Sequence, residues 1–165
     1  MNTLITHTIP PVYNEKSKIL LLGTMPSPKS REYGFYYSHP QNRLWPILAE
    51  LFSCSRPESN EAKKTLLLNH NIAMWDVLQS CTIKGADDQS IHDPVVNDFS
   101  MIFRTAQIRA VFTTGTKATA LYKKYCFPIN GKPSIYLPST SPANCRNYTF
   151  DTLKDAYRII LDYLI

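Results

Sequence analysis

An uninterrupted apolar run, Ile19-Leu20-Leu21-Leu22, constrains the fold of this chain more than any other stretch. The run has the length of a buried strand, and Gly23 stops it. In open α/β sheets, ligands bind at the carboxyl ends of the strands, because the turns that leave the strands bring backbone amides and side chains together. The sequence therefore predicts a buried strand that delivers the residues after Gly23 to a ligand-binding edge.

The segment after Gly23 is predicted to be a long loop, dense in groups that can hold a base and a phosphate. Hydroxyls, positive charges, aromatic faces and an imidazole follow one another at Thr24, Ser27, Lys29, Ser30, Arg31, Phe35, Tyr36, Tyr37 and His39. Aromatic faces stack on bases, and hydroxyls and cations bind phosphates. A loop of this length without regular structure is uncommon unless it carries a function. Composition alone leaves two interpretations open, a ligand-binding loop and a surface loop whose aromatics fold back onto the core.

Strand and helix patterns alternate along the rest of the chain. Helices are predicted over 42–52, 60–69, 95–106 and 117–125 and from Thr149 onward, strands over 108–114 and 134–137, and a turn or short strand running into a helix over 71–79. The polar segment 82–93 is predicted to be a loop over the same sheet edge. The alternation favours a three-layer α/β/α sandwich around a mostly parallel sheet of about four strands, with right-handed crossovers. The loops after Leu22, Thr114 and Leu137 can then converge on one edge.

Length, cysteine usage and charge narrow the class of protein. A chain of 165 residues fits a single domain, 1–165, with one core. The four cysteines lie far apart without a C-x-x-C pair, which predicts reduced thiols and no metal site. No signal-peptide pattern or membrane-length apolar run is present, so we expect a cytoplasmic protein that binds no membrane. A net charge of +5 and a pI of about 9.0 favour a polyanionic partner.

Three segments of the chain, in order, resemble one family. GTMPS at 23–27, followed by HPQNRLW at 39–45, resembles the first active-site segment of the uracil-DNA glycosylase superfamily. The whole stretch 23–45 is similar to the hypoxanthine-DNA (deoxyinosine) glycosylases within it, and LPSTSPAN at 137–144 resembles the second active-site segment of that branch. NIAMWDVL at 71–78 is also similar to it. Together they cover nearly the whole chain, which is far more specific than a lone short motif.

One departure from the superfamily pattern bears on the chemistry. Many members carry an Asp or Asn at the third position of the first turn, where it orients the attacking water. This chain has Met25 there, which can neither orient nor deprotonate a water. As the resemblance implies, that duty passes in the hypoxanthine branch to the Asn of the H-P-x-N string, here Asn42. Helical spacing also places Asn42 at or near a helix N-cap, so capping, a contribution of about 1 kcal/mol, is the alternative role.

The resemblance implies most of the remaining site residues. Lys29, Arg31 and Lys117 are expected to contact phosphate because of their charge and position, with helix capping as the alternative around Lys117. The base pocket is expected to consist of Met25, Phe35, Tyr36, Tyr37 and His39. Tyr37 is the first choice for the stacking face, and His39 either donates to the leaving base or braces the loop. DNA contacts are expected from Ser27, Lys29, Arg31, Lys117, Ser139, Thr140, Ser141, Asn144 and Arg146. No metal or other cofactor is expected.

These residues favour a monomeric, monofunctional DNA glycosylase that acts on inosine-containing DNA. Such an enzyme flips the damaged nucleotide out of the duplex and hydrolyses its N-glycosidic bond. No lysine stands out as a Schiff-base nucleophile, so strand cleavage is not expected. Two alternatives remain, a glycosylase that acts on uracil or a mismatch, and a catalytically silent nucleic-acid-binding domain of the same fold.

Overall fold

The computed structural model describes residues 2–165 and contains two sheets with helices around them. The strands are β1 (Thr3–Thr6), β2 (Ile19–Gly23), β3 (Ile72–Asp76), β4 (Leu78–Lys84), β5 (Asp87–Val96), β6 (Ala110–Thr114) and β7 (Ser134–Leu137). The helices are α1 (Pro28–Tyr33), α2 (Leu44–Leu51), α3 (Asn60–Asn69), α4 (Ser100–Thr105), α5 (Thr116–Leu121), α6 (Phe127–Asn130), α7 (Phe150–Tyr157) and α8 (Ile159–Asp162). A π-helical turn (Tyr122–Cys126) joins α5 to α6, and a 3-10 helix (Pro142–Asn144) follows β7.

The central sheet has four parallel strands in the order β3-β2-β6-β7. Every residue of β2 is buried, because both faces of this strand are covered. Ile19 and Leu21 pack into the cluster that includes α2 and α7, and Leu20 and Leu22 pack into the cluster on the other face, which includes α4 and α5. The predicted α/β class, with helices around a four-stranded parallel sheet, is confirmed.

The second sheet is antiparallel, in the order β1-β4-β5, and it corrects two predictions. Segment 71–79 forms β3 and then β4, so no helix follows the first strand. Segment 82–93 belongs to the β4–β5 hairpin, which turns at Gly85, so it is not a loop. Register shifts between β4 and β5 break the alternation of buried and exposed residues that would have signalled strands.

Helix positions were predicted with smaller errors. α3 and β7 have the predicted bounds, and Thr149 caps the last helical segment. The helix predicted over 95–106 is wrong in its first half, because Val95 and Val96 pair with β4 and α4 covers only Ser100–Thr105. The segment after Gly23 is not wholly irregular either. It contains α1, whose first turn is capped by Ser27, with the hydroxyl accepting from the Ser30 N–H.

Within residues 2–165, none of the helices combines the length and the apolar composition that crossing a bilayer requires. The longest, α3, has 10 residues.

Buried tyrosines predict a loss of stability at alkaline pH. Burial first, and the Asp76 charge second, raise the pKa of Tyr36 and of Tyr37. Burial also raises the pKa of Tyr122 to about 12. Because the unfolded chain releases these protons near pH 10 and the folded chain retains them, the free energy of unfolding is unaffected below about pH 10 and falls above it.

The measurement is the melting temperature at pH 8 to 11, followed by circular dichroism. We expect Tyr36→Phe to flatten the decline and Tyr33→Phe, which changes a tyrosine that is 48% exposed, to leave it unchanged. Equal profiles for Tyr36→Phe and wild type would contradict the assignment.

Candidate active site

A cavity of about 340 Å³ opens at the carboxyl edge of the parallel sheet. Its size falls in the usual range for small-molecule sites. The ends of β2, β3 and β6, the segment after β7 and the tip of the β4–β5 hairpin all contribute to its wall. The wall includes Gly23, Met25, Ser27, Lys29, Tyr36, Tyr37, His39, Asn42, Asp76, Ile83, Asp88, Thr114, Ser139 and Ser141. The ends of β2 and β6 and the segment after β7 therefore meet at one edge of the sheet, as predicted.

Gly23 lines the cavity, and the groups around it leave no room for a side chain. A Cβ placed there would lie 2.6 Å from Asp76 Oδ1 and 2.9 Å from the Tyr37 hydroxyl. Gly23 and Asp76 are paired across β2 and β3, which sets the carboxylate beside the glycine. Asp76 Oδ1 and the Tyr37 hydroxyl therefore occupy the space that a side chain at position 23 would need.

Tyr37 is held in a strained conformation by three contacts. Its φ is 51°, in the left-handed region that costs a non-glycine residue about 1 to 2 kcal/mol. The Trp45 indole N–H lies 3.1 Å from the Tyr37 carbonyl and 3.3 Å from the Tyr36 carbonyl. The Tyr37 hydroxyl lies 3.0 Å from Thr114 Oγ1, which itself donates to the Leu22 carbonyl. Strained residues that their surroundings over-determine are typical of functional sites.

His39 and Asn42 are brought to the cavity by one tight turn. The Asn42 N–H donates to the His39 carbonyl at 2.9 Å, and Pro40 occupies the second turn position, where proline is favoured. The Gln41 N–H donates to His39 Nδ1 at 3.1 Å. Because Nδ1 accepts that bond, the neutral ring carries its proton on Nε2, which is left to donate to another group.

Asn42 both caps a helix and lines the cavity. Its Oδ1 accepts from the Leu44 N–H at 2.9 Å, which satisfies one free amide of the first turn of α2. Capping was the predicted alternative role, although the N-cap residue of α2 is Arg43. A carboxamide has two acceptor lone pairs and two N–H donors, so one bond leaves most of its capacity unused. The half-buried side chain can therefore cap the helix and bind a water in the cavity.

Arg43 connects the first active-site segment to the second. Its backbone N–H donates to the Thr140 carbonyl at 3.2 Å, and its Nη1 donates to the Tyr148 carbonyl at 2.6 Å. Among the described residues, its Nε and Nη2 are buried without a hydrogen-bond partner. The backbone next to Asn42 is thereby fixed against the segment that follows β7.

The segment after β7 is held by its own side chains. The Ser141 N–H donates to Ser139 Oγ at 3.1 Å, and Asn144 Nδ2 donates to the Ser139 carbonyl at 3.0 Å. The Tyr157 hydroxyl donates to the Pro138 carbonyl at 2.6 Å. These bonds place the Ser139 and Ser141 hydroxyls at the rim of the cavity.

The predicted site residues fall into two groups. Met25, Ser27, Lys29, Tyr36, Tyr37, His39, Asn42, Ser139 and Ser141 line the cavity. Phe35, Arg31, Lys117, Thr140, Asn144 and Arg146 lie outside its wall. Phe35 packs in the core, its ring 5.4 Å from that of Tyr36, and Thr140 is buried. Arg31 donates to the Pro26 carbonyl, and Arg146 is exposed. We therefore leave Phe35 out of the base contacts proposed below.

Tyr36 touches the cavity but is a poor stacking platform. Tyr36 is only 1% exposed, and its hydroxyl lies 3.1 Å from the Ile9 carbonyl and 2.9 Å from the Pro10 carbonyl. Both bonds fix the ring in the core. Tyr37, which is half-buried, remains the aromatic face open to a ligand.

Asp76 is the main site residue that the sequence reasoning missed. It follows Trp75 at the end of β3, beside the strand that carries the first active-site segment. Its place within 71–78, a segment similar to the family, was the available signal, but that segment was predicted to run into a helix. The hairpin residues Ile83 and Asp88 also line the cavity. Ile83 was missed, and Asp88 was discounted because adjacent carboxylates such as Asp87 and Asp88 in a predicted loop are usually solvated. Among residues 2–165, no cluster of His, Cys, Asp and Glu has the geometry of a metal site.

Comparisons with known proteins agree on one family. The sequence model of the Uracil DNA glycosylase superfamily matches residues 10–165. A "Hypoxanthine DNA glycosylase" of Methanosarcina acetivorans is 31% identical over 145 residues, which cover 87% of this chain and 90% of the relative. A protein with the same name from Methanosarcina barkeri is 32% identical over 139 residues, covering 84% of this chain and 87% of the relative.

A solved structure has the same fold. It is the solution NMR structure of a Methanosarcina acetivorans protein provisionally assigned as a uracil DNA glycosylase. The two structures superpose with a TM-score of 0.79 at 27% sequence identity, over 96% of this chain and 99% of the other. Sequence and fold therefore point to the same family over nearly the full length of the chain.

Proposed function

The chain belongs to the uracil DNA glycosylase superfamily, and we propose that it is a monofunctional DNA glycosylase that removes hypoxanthine from inosine-containing DNA. The observation that carries the proposal is the position of Asn42 on the wall of the cavity, in a chain whose first turn carries Met25. The names of the two Methanosarcina relatives support hypoxanthine as the base. We further propose that residues 1–165 act as one domain, as a cytoplasmic monomer without a cofactor.

The polar groups of the cavity match the edge of hypoxanthine. Hypoxanthine presents an N1–H donor beside the O6 acceptor, and Asp76, which lines the cavity, offers Oδ1 as an acceptor beside Gly23. Adenine has a lone pair at N1, so an ionised Asp76 would repel it. The ring of Tyr37 supplies the stacking face, which contributes about 1 to 3 kcal/mol per base in other proteins. That gain offsets part of the few kcal/mol that unstacking a base costs.

In the chemical step, water adds to C1′ of the sugar as the bond from C1′ to N9 of the base breaks, which places positive charge on the sugar and negative charge on the leaving base. The proton that the water loses ends on the departing base, so the net products are neutral hypoxanthine and an abasic sugar. His39, with its proton on Nε2, is the proposed donor to the leaving base. Asn42 holds the attacking water by hydrogen bonds, and because an amide cannot accept a proton from water, it positions the water without acting as a general base. The mechanism requires no covalent intermediate, so the product is an abasic site in an unbroken strand.

The proposed DNA contacts surround the mouth of the cavity. Lys29 is exposed on α1, and the Ser27, Ser139 and Ser141 hydroxyls lie at the rim. Hydroxyls and lysines at such a rim contact the phosphates that flank a flipped nucleotide, which positions the enzyme without reading the sequence. Arg146, exposed beyond the 3-10 helix, is proposed to contact the strand further from the pocket.

The test is a glycosylase assay on a labelled duplex with one deoxyinosine. We expect hypoxanthine release and an abasic strand that breaks only after alkali treatment. Absence of alkali-labile product would contradict the function, and strand breakage without alkali would contradict the monofunctional mechanism. An identical duplex with deoxyadenosine at the same position is the control.

A uracil duplex in the same assay decides the second candidate. The NMR relative is provisionally assigned as a uracil DNA glycosylase, which favours this test. Uracil also presents an N–H group from which Asp76 could accept a hydrogen bond. Met25 weighs against efficient uracil release, because the first turn lacks a water-orienting side chain. We expect slower release of uracil than of hypoxanthine.

A further inference from the structure

His7 and Asp76 form a buried pair beside the cavity. His7 Nε2 lies 2.8 Å from Asp76 Oδ2, and the two side chains are 2% and 5% exposed. A carboxylate only accepts hydrogen bonds, so His7 must donate through Nε2. Contacts of this kind, between an imidazole and a carboxylate, fix the orientation of both groups. His7 lies ahead of the family match, which begins at residue 10.

His7 reaches this position from the antiparallel sheet. β1 pairs with β4, and the His7 N–H donates to the Gln79 carbonyl directly after the paired residues. The imidazole lies against Tyr36 and Trp75, with ring centroids 5.9 Å and 6.1 Å away. Backbone and ring are both held, so the imidazole is a rigid donor supplied by a strand that carries no other part of the site.

The two oxygens of Asp76 have different surroundings. Oδ2 accepts from His7, whereas Oδ1 lies over Gly23 and has no hydrogen-bond partner among the described residues. Oδ1 is not fully buried, and Asp76 lines the cavity. If the Asp76 carboxylate were free to rotate about χ2, Oδ1 would not stay beside Gly23.

We propose that His7 is a positioning residue that orients Asp76 so that Oδ1 faces the base in the cavity. This inference rests on the proposed function, because the role of Oδ1 is to accept from the N–H of the extruded base. His7 itself does not touch the base. Its contribution reaches the base only through Asp76, so its effect must vanish when Asp76 lacks a carboxylate.

A double-mutant cycle tests that dependence. The variants are His7→Phe, which keeps a ring but has no donor, Asp76→Ala, and the two combined, measured as single-turnover rates on the inosine duplex. We expect His7→Phe to lower the rate about 10-fold in the wild-type background and less than 2-fold in the Asp76→Ala background. Equal losses in both backgrounds, or no loss in the first, would overturn the proposal.

Two further measurements separate positioning from folding. His7→Gln retains an N–H donor and is expected to recover most of the rate, while the affinity of each variant for a duplex with a tetrahydrofuran abasic analogue stays within 2-fold of wild type. A His7→Gln protein as slow as His7→Phe would count against the proposal. His7→Leu, which also lacks a donor, takes the place of His7→Phe in the cycle if the latter does not fold.

Nitrogen-15 NMR of the His7 imidazole reports its tautomer and does not depend on enzymatic activity. We expect the Nε2–H tautomer of His7 in wild type and a changed tautomer population in Asp76→Ala. A wild-type tautomer protonated on Nδ1 alone would overturn the inference. Wild-type protein that is inactive on inosine but shows the Nε2–H signal would contradict the proposed function and leave the contact between His7 and Asp76 established.

Discussion

Replacing Asn42 by alanine is expected to lower the single-turnover rate of hypoxanthine release by about 100 to 1000-fold, the usual effect of removing one positioned polar group from an active site. The reason is geometric, because the carboxamide lines the cavity with most of its hydrogen-bonding capacity unused. DNA affinity should change little, because Asn42 is proposed to bind the water and not the phosphates. Single-turnover rates and binding to the tetrahydrofuran duplex measure the two effects separately.

The capping role of Asn42 needs its own control. Asn42→Ala also removes the acceptor for the Leu44 N–H and should cost about 1 kcal/mol of stability. Asn42→Ser keeps a capping oxygen, so we expect near-wild-type stability together with the same loss of rate. Gln41→Ala, which changes an exposed neighbour in the same turn, should retain the wild-type rate. A fully active Asn42→Ser would mean that the residue only caps α2.

Replacing Gly23 by alanine is expected to abolish most activity while leaving the protein folded. The added Cβ would meet Asp76 Oδ1 at 2.6 Å and the Tyr37 hydroxyl at 2.9 Å, so both groups must move. Each is held on its far side, Asp76 by His7 and Tyr37 by Thr114, and moving them breaks those contacts. Displacements of about 1 Å in a catalytic constellation cost about 100-fold in rate, and overpacking costs about 1 to 3 kcal/mol of stability.

Gly131→Ala is the matched control for Gly23→Ala. Gly131 ends α6 with φ of 70° and has no atom near its missing Cβ, so alanine there is strained but touches nothing. We expect a loss of about 1 to 2 kcal/mol with the rate unchanged. Chemical denaturation and single-turnover kinetics on both variants distinguish the loss of stability from the loss of rate. An active Gly23→Ala enzyme would show that the positions of Asp76 and Tyr37 do not matter.

Several of the candidate site residues that line the cavity lie close together in the chain. Tyr37, His39 and Asn42 lie on one continuous segment after a buried strand, and the turn at Pro40 needs no distant partner. Phe35 belongs to the same segment and was expected beside them, but it packs into the core. Composition could not separate the aromatic residues, because which ring faces the cavity depends on the left-handed backbone of Tyr37 and on the indole of Trp45.

The antiparallel sheet was missed because its β1–β4 pairing is not local and its β4–β5 hairpin is irregular. β4 pairs with β1, more than 70 residues earlier, and its register with β5 shifts three times. These shifts remove the period-two pattern by which a strand is recognised. The hairpin was missed for this reason, whereas Asp76 was missed because 71–79 was predicted to run into a helix and instead forms β3 and the start of β4.

The sequence by itself determined the parallel sheet, the family and the residues of the two active-site segments, because buried apolar runs and continuous motifs are properties of neighbouring residues. Only the tertiary structure decided that Asp76 Oδ1 lies beside Gly23 and that His7 donates to Asp76 Oδ2. Those contacts join residues up to 69 positions apart. The first requires β3 to pair with β2, and the second requires the two sheets to pack against each other.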